Sequence, residues 1–175
     1  MNTEELFPIV DENGNVIDAA TRKECHSGSK LLHPVVHLHI LNEGKDTLYL
    51  QKRSMNKDIQ PGKWDTAVGG HVDLGENVMT ALLRETREEL GLTDFTPNHL
   101  LSYIFESEIE RELVSTFSTV VNPETTNFVI DPEEISEGRF WSFNEINENM
   151  GKGIFTPNFE QEFERIKPLL NNNEA

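Results

Sequence analysis

The glycine-rich run Gly69-Gly70-His71-Val72-Asp73-Leu74-Gly75 and the segment after it constrain this chain most. Three glycines in seven residues let the loop backbone come close to another group. Residues 76 to 91 then read as one helix: Glu76 falls in its first turn, Met79, Leu83 and Leu90 form an apolar stripe, and Gly91 stops it. On that helix Glu85, Glu88 and Glu89 stand at i, i+3 and i+4, which gathers three carboxylates on one face within about 6 Å. They repel one another unless a cation lies among them. Arg84, four residues before Glu88, is placed to hold that carboxylate. The plain alternative is a solvated acidic face.

The remaining elements follow from alternation and turns. Phe7-Pro8-Ile9-Val10 and Val16-Ile17-Asp18-Ala19 flank an Asn13-Gly14 turn and read as a hairpin, so residues 1 to 30 are expected to add to the edge of the main sheet. From Pro34 to Leu41 the chain alternates, with Val36, Leu38 and Ile40 on one face and Val35, His37 and His39 on the other. Leu48-Tyr49-Leu50-Gln51 is its expected antiparallel partner. Further strands are expected at 100 to 106, 112 to 121 and 138 to 142, with an amphipathic helix at about 157 to 170. Mixed strands and helices imply a layered α/β or α+β domain over residues 31 to 170, leaving 171 to 175 as a frayed polar tail.

Charge and composition narrow the function. With 31 acidic and 15 basic residues among 175, the formal net charge is −16, a field that repels nucleic acid and anionic membranes. No stretch approaches the roughly 20 apolar residues of a membrane span, and the N-terminus lacks the basic start of a secretory signal, so a cytoplasmic protein is expected. The single cysteine, Cys25, excludes a disulfide and a Cys-rich zinc cluster and reads as an inert thiol. An acidic protein still takes a phosphorylated substrate when divalent cations bridge carboxylates to phosphate oxygens. Oxygen ligands packed this densely suit Mg²⁺, or Mn²⁺.

Gly70, five residues, Glu76, seven residues, then Arg84-Glu85-Thr86-Arg87-Glu88-Glu89-Leu90-Gly91-Leu92 resembles the complete Nudix box. Thr86 alone departs, standing where that family carries an aliphatic residue. The resemblance implies a Nudix α/β/α sandwich with a mixed β-sheet, here with an N-terminal β-hairpin extension. It implies that Glu85, Glu88, Glu89 and the Gly70 carbonyl ligate Mg²⁺, with Arg84 and Glu76 orienting them. The expected reaction is attack of water on a small-molecule diphosphate, Glu85 being the first candidate for the base.

Over residues 7 to 160 the chain also resembles the branch containing isopentenyl-diphosphate isomerase. His26, His33, His71, Glu110 and Glu112 stand where that branch places the ligands of its divalent metal, so a second metal is expected in this chain, Mn²⁺ or Zn²⁺ by the mixed N/O donors. Arg53 and Lys57 match its diphosphate-binding positions. Three positions differ: Gly69 stands in place of the isomerase cysteine, Asn158 in place of its tryptophan and Glu85 in place of an arginine. These differences favour hydrolysis over isomerisation. A non-catalytic nucleotide sensor is the other reading, and a homodimer is the default assembly.

Several residues are weighed beside these. His37, His39, Tyr103 and Phe105 read as core or cleft lining, Glu106 and Glu108 as solvated acids or an alternative base, and Trp64 and Trp141 as core anchors.

Overall fold

The computed structural model describes residues 5 to 170, so the tail expected at 171 to 175 lies outside the described residues. Thirteen elements follow in the order β1 (Leu6–Val10), β2 (Val16–Thr21), α1 (Arg22–Cys25), β3 (Leu32–Leu41), β4 (Thr47–Arg53), β5 (Trp64–Thr66), β6 (Val68–His71), α2 (Val78–Leu90), β7 (Asn98–Glu106), β8 (Arg111–Val120), β9 (Ile135–Ser142), α3 (Phe143–Asn149) and α4 (Pro157–Leu170).

The main sheet is mixed. It runs β5-β4-β3-β8-β7, with β6 added to β3 and β9 to β4. β3 and β8 are parallel over ten residue pairs from Leu32↔Arg111 to Leu41↔Val120, whereas the other pairings are antiparallel. The expected partnership of β3 with β4 is confined to Leu41↔Leu48, because β4 turns away to pair with β9, and β6 takes Val35 to Leu38 of β3 instead.

Alternation along β3 divides the core. Val36, Leu38 and Ile40 pack with Ala81, Leu82 and Leu90 of α2 in one layer. Leu41 joins Leu48, Trp64, Trp141, Ile146 of α3 and Phe159, Phe163 and Ile166 of α4 in the other. Helices therefore cover both sheet faces, giving the α/β/α sandwich. Each fully buried Leu, Ile or Phe contributes about 1.5 to 3 kcal/mol. Trp64 and Trp141 meet edge to face at 5.1 Å and are core anchors as expected.

Three local expectations are corrected. The β1–β2 hairpin forms its own two-stranded sheet and does not extend the main one. It turns as expected at Asn13-Gly14, where Gly14 adopts φ +85° and the Asp11 carboxylate accepts from Asn13 and Asn15 N–H. Helix α2 begins two residues later than Glu76: Asn77 caps it, with its side chain accepting from Thr80 N–H at 2.8 Å. Its buried stripe is Ala81, Leu82, Thr86 and Leu90, and Met79 and Leu83 are exposed. Thr86 fits that stripe because its hydroxyl donates to the Leu82 carbonyl at 2.7 Å, so no buried polar group is left unmet. Gly91 ends the helix at φ +67°.

Candidate active site

The loop and α2 assemble around Arg84. Its Nε and one terminal nitrogen grip both oxygens of Glu76, at 2.7 and 2.9 Å. The other nitrogen donates to Glu85 at 2.6 Å, and further contacts reach Asp73 and the His71 carbonyl. Glu76 accepts in addition from Asp73 N–H, so it ties loop to helix from outside the helix. The hydrogen bond from Arg84 holds the Glu76 carboxyl below its usual range. The expected Arg84–Glu88 pair is present but long, at 3.4 Å, because the guanidinium is committed to Glu76 and Glu85.

Gly70 is required by close approach. A Cβ there would run into the Glu85 carboxyl group and displace it, so glycine lets this acid rest against the backbone where Arg84 holds it. Glu89 lies deeper: Oε2 is buried with no hydrogen-bond partner. Burial, then the neighbouring Glu85 carboxyl, pushes its pKa well up. A crowded pair of acids with an orphaned oxygen is the arrangement that a hard divalent cation relieves. Glu88 is half exposed at the rim.

A second cluster adjoins the first through His71. Ring nitrogens of His26, His33 and His71 lie within 4.8 Å of one another, as do the ligand atoms of His33, Glu110 and Glu112. The register of β3 on β8 sets His33 directly opposite Glu112. His33 Nδ1 bonds the Leu31 carbonyl at 3.0 Å, which fixes the proton there and leaves Nε2 as a lone pair facing the cluster. The Nε2 atoms of His33 and His71 are buried without a partner. Burial holds all three imidazoles below their usual pKa, His71 down to about 3. Burial, then Glu110, raises Glu112 to about 7. Two imidazoles with unmet Nε2 atoms, His33 and His71, and a third, His26, whose Nε2 lies 2.9 Å from Glu110, fit a borderline divalent metal beside these carboxylates.

The acids of α2 and Gly70, with His71, Glu110 and Glu112 of the second cluster and with Arg53 and Lys57, line one cleft of about 630 Å³, and His26 and His33 lie outside that lining. Arg53 is paired with Asp65 at 3.7 Å, and Lys57 with Glu134. Asn158 lines the cleft beside them. Glu106 bonds Lys30 and sits exposed with Glu108, away from the cleft lining. Burial pushes the Cys25 thiol up to about 11, consistent with an inert group. Sequence reasoning missed one prominent residue, Glu162 of α4. It is buried at 1% exposure and bonded to both His37 and His39.

The fold and the acidic loop-helix site are those of the family described as "NUDIX domain", which matches residues 31–159. The chain belongs to the Nudix family. It is 31% identical over 176 residues to an uncharacterized Nudix hydrolase of Yersinia pestis, covering 94% of this chain and 93% of that one. It is also 30% identical over 155 residues to an isopentenyl-diphosphate Delta-isomerase of Aliivibrio fischeri, covering 83% and 84%. Among solved structures, a Deinococcus radiodurans protein superposes with a TM-score of 0.77 at 22% identity, over 92% of this chain and 98% of that one. No described helix is long and apolar enough to cross a membrane.

Proposed function

We propose that the protein hydrolyses the diphosphate linkage of a small molecule with Mg²⁺, or Mn²⁺, held by Glu85, Glu88, Glu89 and the Gly70 carbonyl. The observation that carries this reading is the crowding of Glu85 on Glu89, whose buried Oε2 has no partner, at the wall of a cleft that also presents Arg53 and Lys57. A cation held by these carboxylates would supply charge neutralisation of the diphosphate and a more acidic bound water. Arg84 and Glu76 hold the carboxylates in place. Glu85 takes the proton from the attacking water, and Arg53 and Lys57 orient the anionic substrate. His26, His33, His71, Glu110 and Glu112 would hold a second divalent metal, Mn²⁺ or Zn²⁺. We place the protein in the cytoplasm, where such substrates occur.

Isomerisation of isopentenyl diphosphate is the second reading, favoured by the convergence of the histidine cluster and by the relative of that name. It is weakened at Gly69, which carries no side chain to transfer a proton. Phosphorus NMR of the protein with Mg²⁺ and a panel of diphosphates that includes isopentenyl diphosphate separates the readings. Release of monophosphate that disappears in Glu89→Gln is the expected result. An intact, rearranged isopentenyl diphosphate would replace it with isomerisation, and binding of a nucleotide without any turnover would favour a sensor.

A further inference from the structure

α4 buries Phe159, Phe163, Ile166 and Leu170, and Glu162 lies in the same buried set. A lone carboxylate at that depth is strongly unfavourable. Its oxygens are shared among three donors: Oε1 receives His37 Nδ1 at 2.7 Å and the Tyr103 hydroxyl at 2.5 Å, and Oε2 receives His39 Nε2 at 2.5 Å. One carboxylate thus pins β3 and β7 to α4. Arg165 does not enter the cluster as an ion pair; its guanidinium lies over the Tyr103 ring at 4.5 Å.

Charge balance favours one imidazolium, and geometry decides which. His39 is 1% exposed and its Nδ1 has no hydrogen-bond partner, so a proton there would be an unmet buried donor. His37 is 22% exposed and lines the cleft. With Nδ1 given to Glu162, its Nε2–H edge turns to the loop: Nε2 and Cδ2 lie 3.6 and 3.3 Å from where a side chain at position 69 would begin. The His37 ring therefore crowds the space that Gly69 leaves open. Burial opposes a charge on His37, but Glu162, Glu112 and Asp65 outweigh it and raise the ring to about 9. The other titratable groups facing this region are Tyr103 from β7, Arg53 from β4 and Glu89 from α2.

We propose that His37 contacts substrate, donating from Nε2 to an anionic oxygen of the diphosphate from the α4 side of the cleft, and that Glu162 is the positioning residue that fixes its orientation and charge. The proposal rests on the diphosphate reading above and adds a donor to it. Arg53 and Lys57 already have carboxylate partners at the cleft, whereas His37 lines the same cleft with Nε2 lying 3.6 Å from where a side chain at position 69 would begin.

The test is ¹⁵N-histidine NMR and calorimetry on the full chain with Mg²⁺, using methylenediphosphonate, an uncleavable diphosphate, as probe. One ring with both nitrogens protonated at pH 7.5, lost in His37→Gln and neutral in Glu162→Gln, is expected, and its Nε2 resonance moves on adding the probe. His37→Gln weakens probe binding at least tenfold. The double variant H37Q/E162Q removes both charges, keeps the core neutral and shows the same loss, which guards against a single variant that fails to fold. A neutral His37 in the wild type, or probe affinity within twofold in folded H37Q or H37Q/E162Q, overturns the proposal. Because the probe is never cleaved, this outcome is independent of whether the phosphorus assay detects hydrolysis.

Discussion

Phe7 of the hairpin lies flat on His71 of β6, with ring centroids 4.5 Å apart and planes 4° from parallel. The same ring reaches His33 at 5.8 Å, so the separate β1–β2 sheet acts as an apolar cover over the histidine cluster. Phe7 is fully buried, and Phe7→Ala is expected to cost about 3 to 5 kcal/mol in urea unfolding. Phe7→Leu restores most of the stability but leaves the His71 ring unstacked. A Phe7→Leu protein that gains as much as Phe7→Ala loses, with unchanged affinity for Zn²⁺, would separate cover from metal site.

Binding of Mn²⁺ or Zn²⁺ at the second cluster is expected to raise the Tm, by the equivalent of about 2.7 kcal/mol at a hundredfold excess over Kd. The shift should vanish in His33→Gln and survive in Glu89→Gln, because the two clusters use different ligands. Differential scanning fluorimetry across a metal titration, reversed with chelator, measures it. A shift that persists in His33→Gln assigns the effect elsewhere.

Replacing Glu85 or Glu89 by Gln is expected to lower kcat by about 10² to 10⁴, with a smaller loss for Glu88→Gln at the exposed rim. Arg84→Met strips Glu76 and Glu85 of their shared partner. It should lower both activity and Tm, since removing one member of a partly buried charge network leaves the others unpaired. Steady-state kinetics beside thermal melts detects the combination; full activity in Arg84→Met would remove Arg84 from the positioning role.

The pair of His37 and Glu162 gives stability a pH dependence of definite sign. The folded pKa of His37, about 9, lies above its unfolded value. The folded chain therefore holds an extra proton, and this stabilisation is complete below about pH 6.5 and is lost as pH rises through about 9. Glu162, with burial opposing and His37 outweighing it, lies well below its usual range, so its contribution is lost only at acid pH, below the unfolded carboxylate pKa. Urea unfolding between pH 6 and 10 should show a decline on the order of 3 kcal/mol, absent in H37Q/E162Q. A flat profile in the wild type contradicts the charged pair.

Long periodic features were legible in the sequence because their signal accumulates over many residues. The alternation of β3 and the helix carrying Glu85, Glu88 and Glu89 are of this kind. Short elements carried no such signal: α1 has four residues, β5 three and β6 four. The stripe of α2 was misassigned because Met79 and Leu83 outrank Ala81 and Thr86 in hydrophobicity, and the sheet accepts the smaller side chains at close range. Glu162 was overlooked because an acid on an amphipathic helix reads as solvated. Its spacing from Phe159 and Ile166, three back and four ahead, placed it in the apolar stripe and was the available clue.

The parallel pairing of β3 with β8 has a consequence for how the molecule comes into being. It aligns His33 with Glu112 across 78 residues of intervening sequence, and such distant contacts form only after a large loss of chain freedom. The histidine cluster cannot exist on a partly folded chain. A metal arriving there meets a finished sheet, and the rate at which metal affinity appears after dilution from denaturant is expected to follow the slowest topological step of folding.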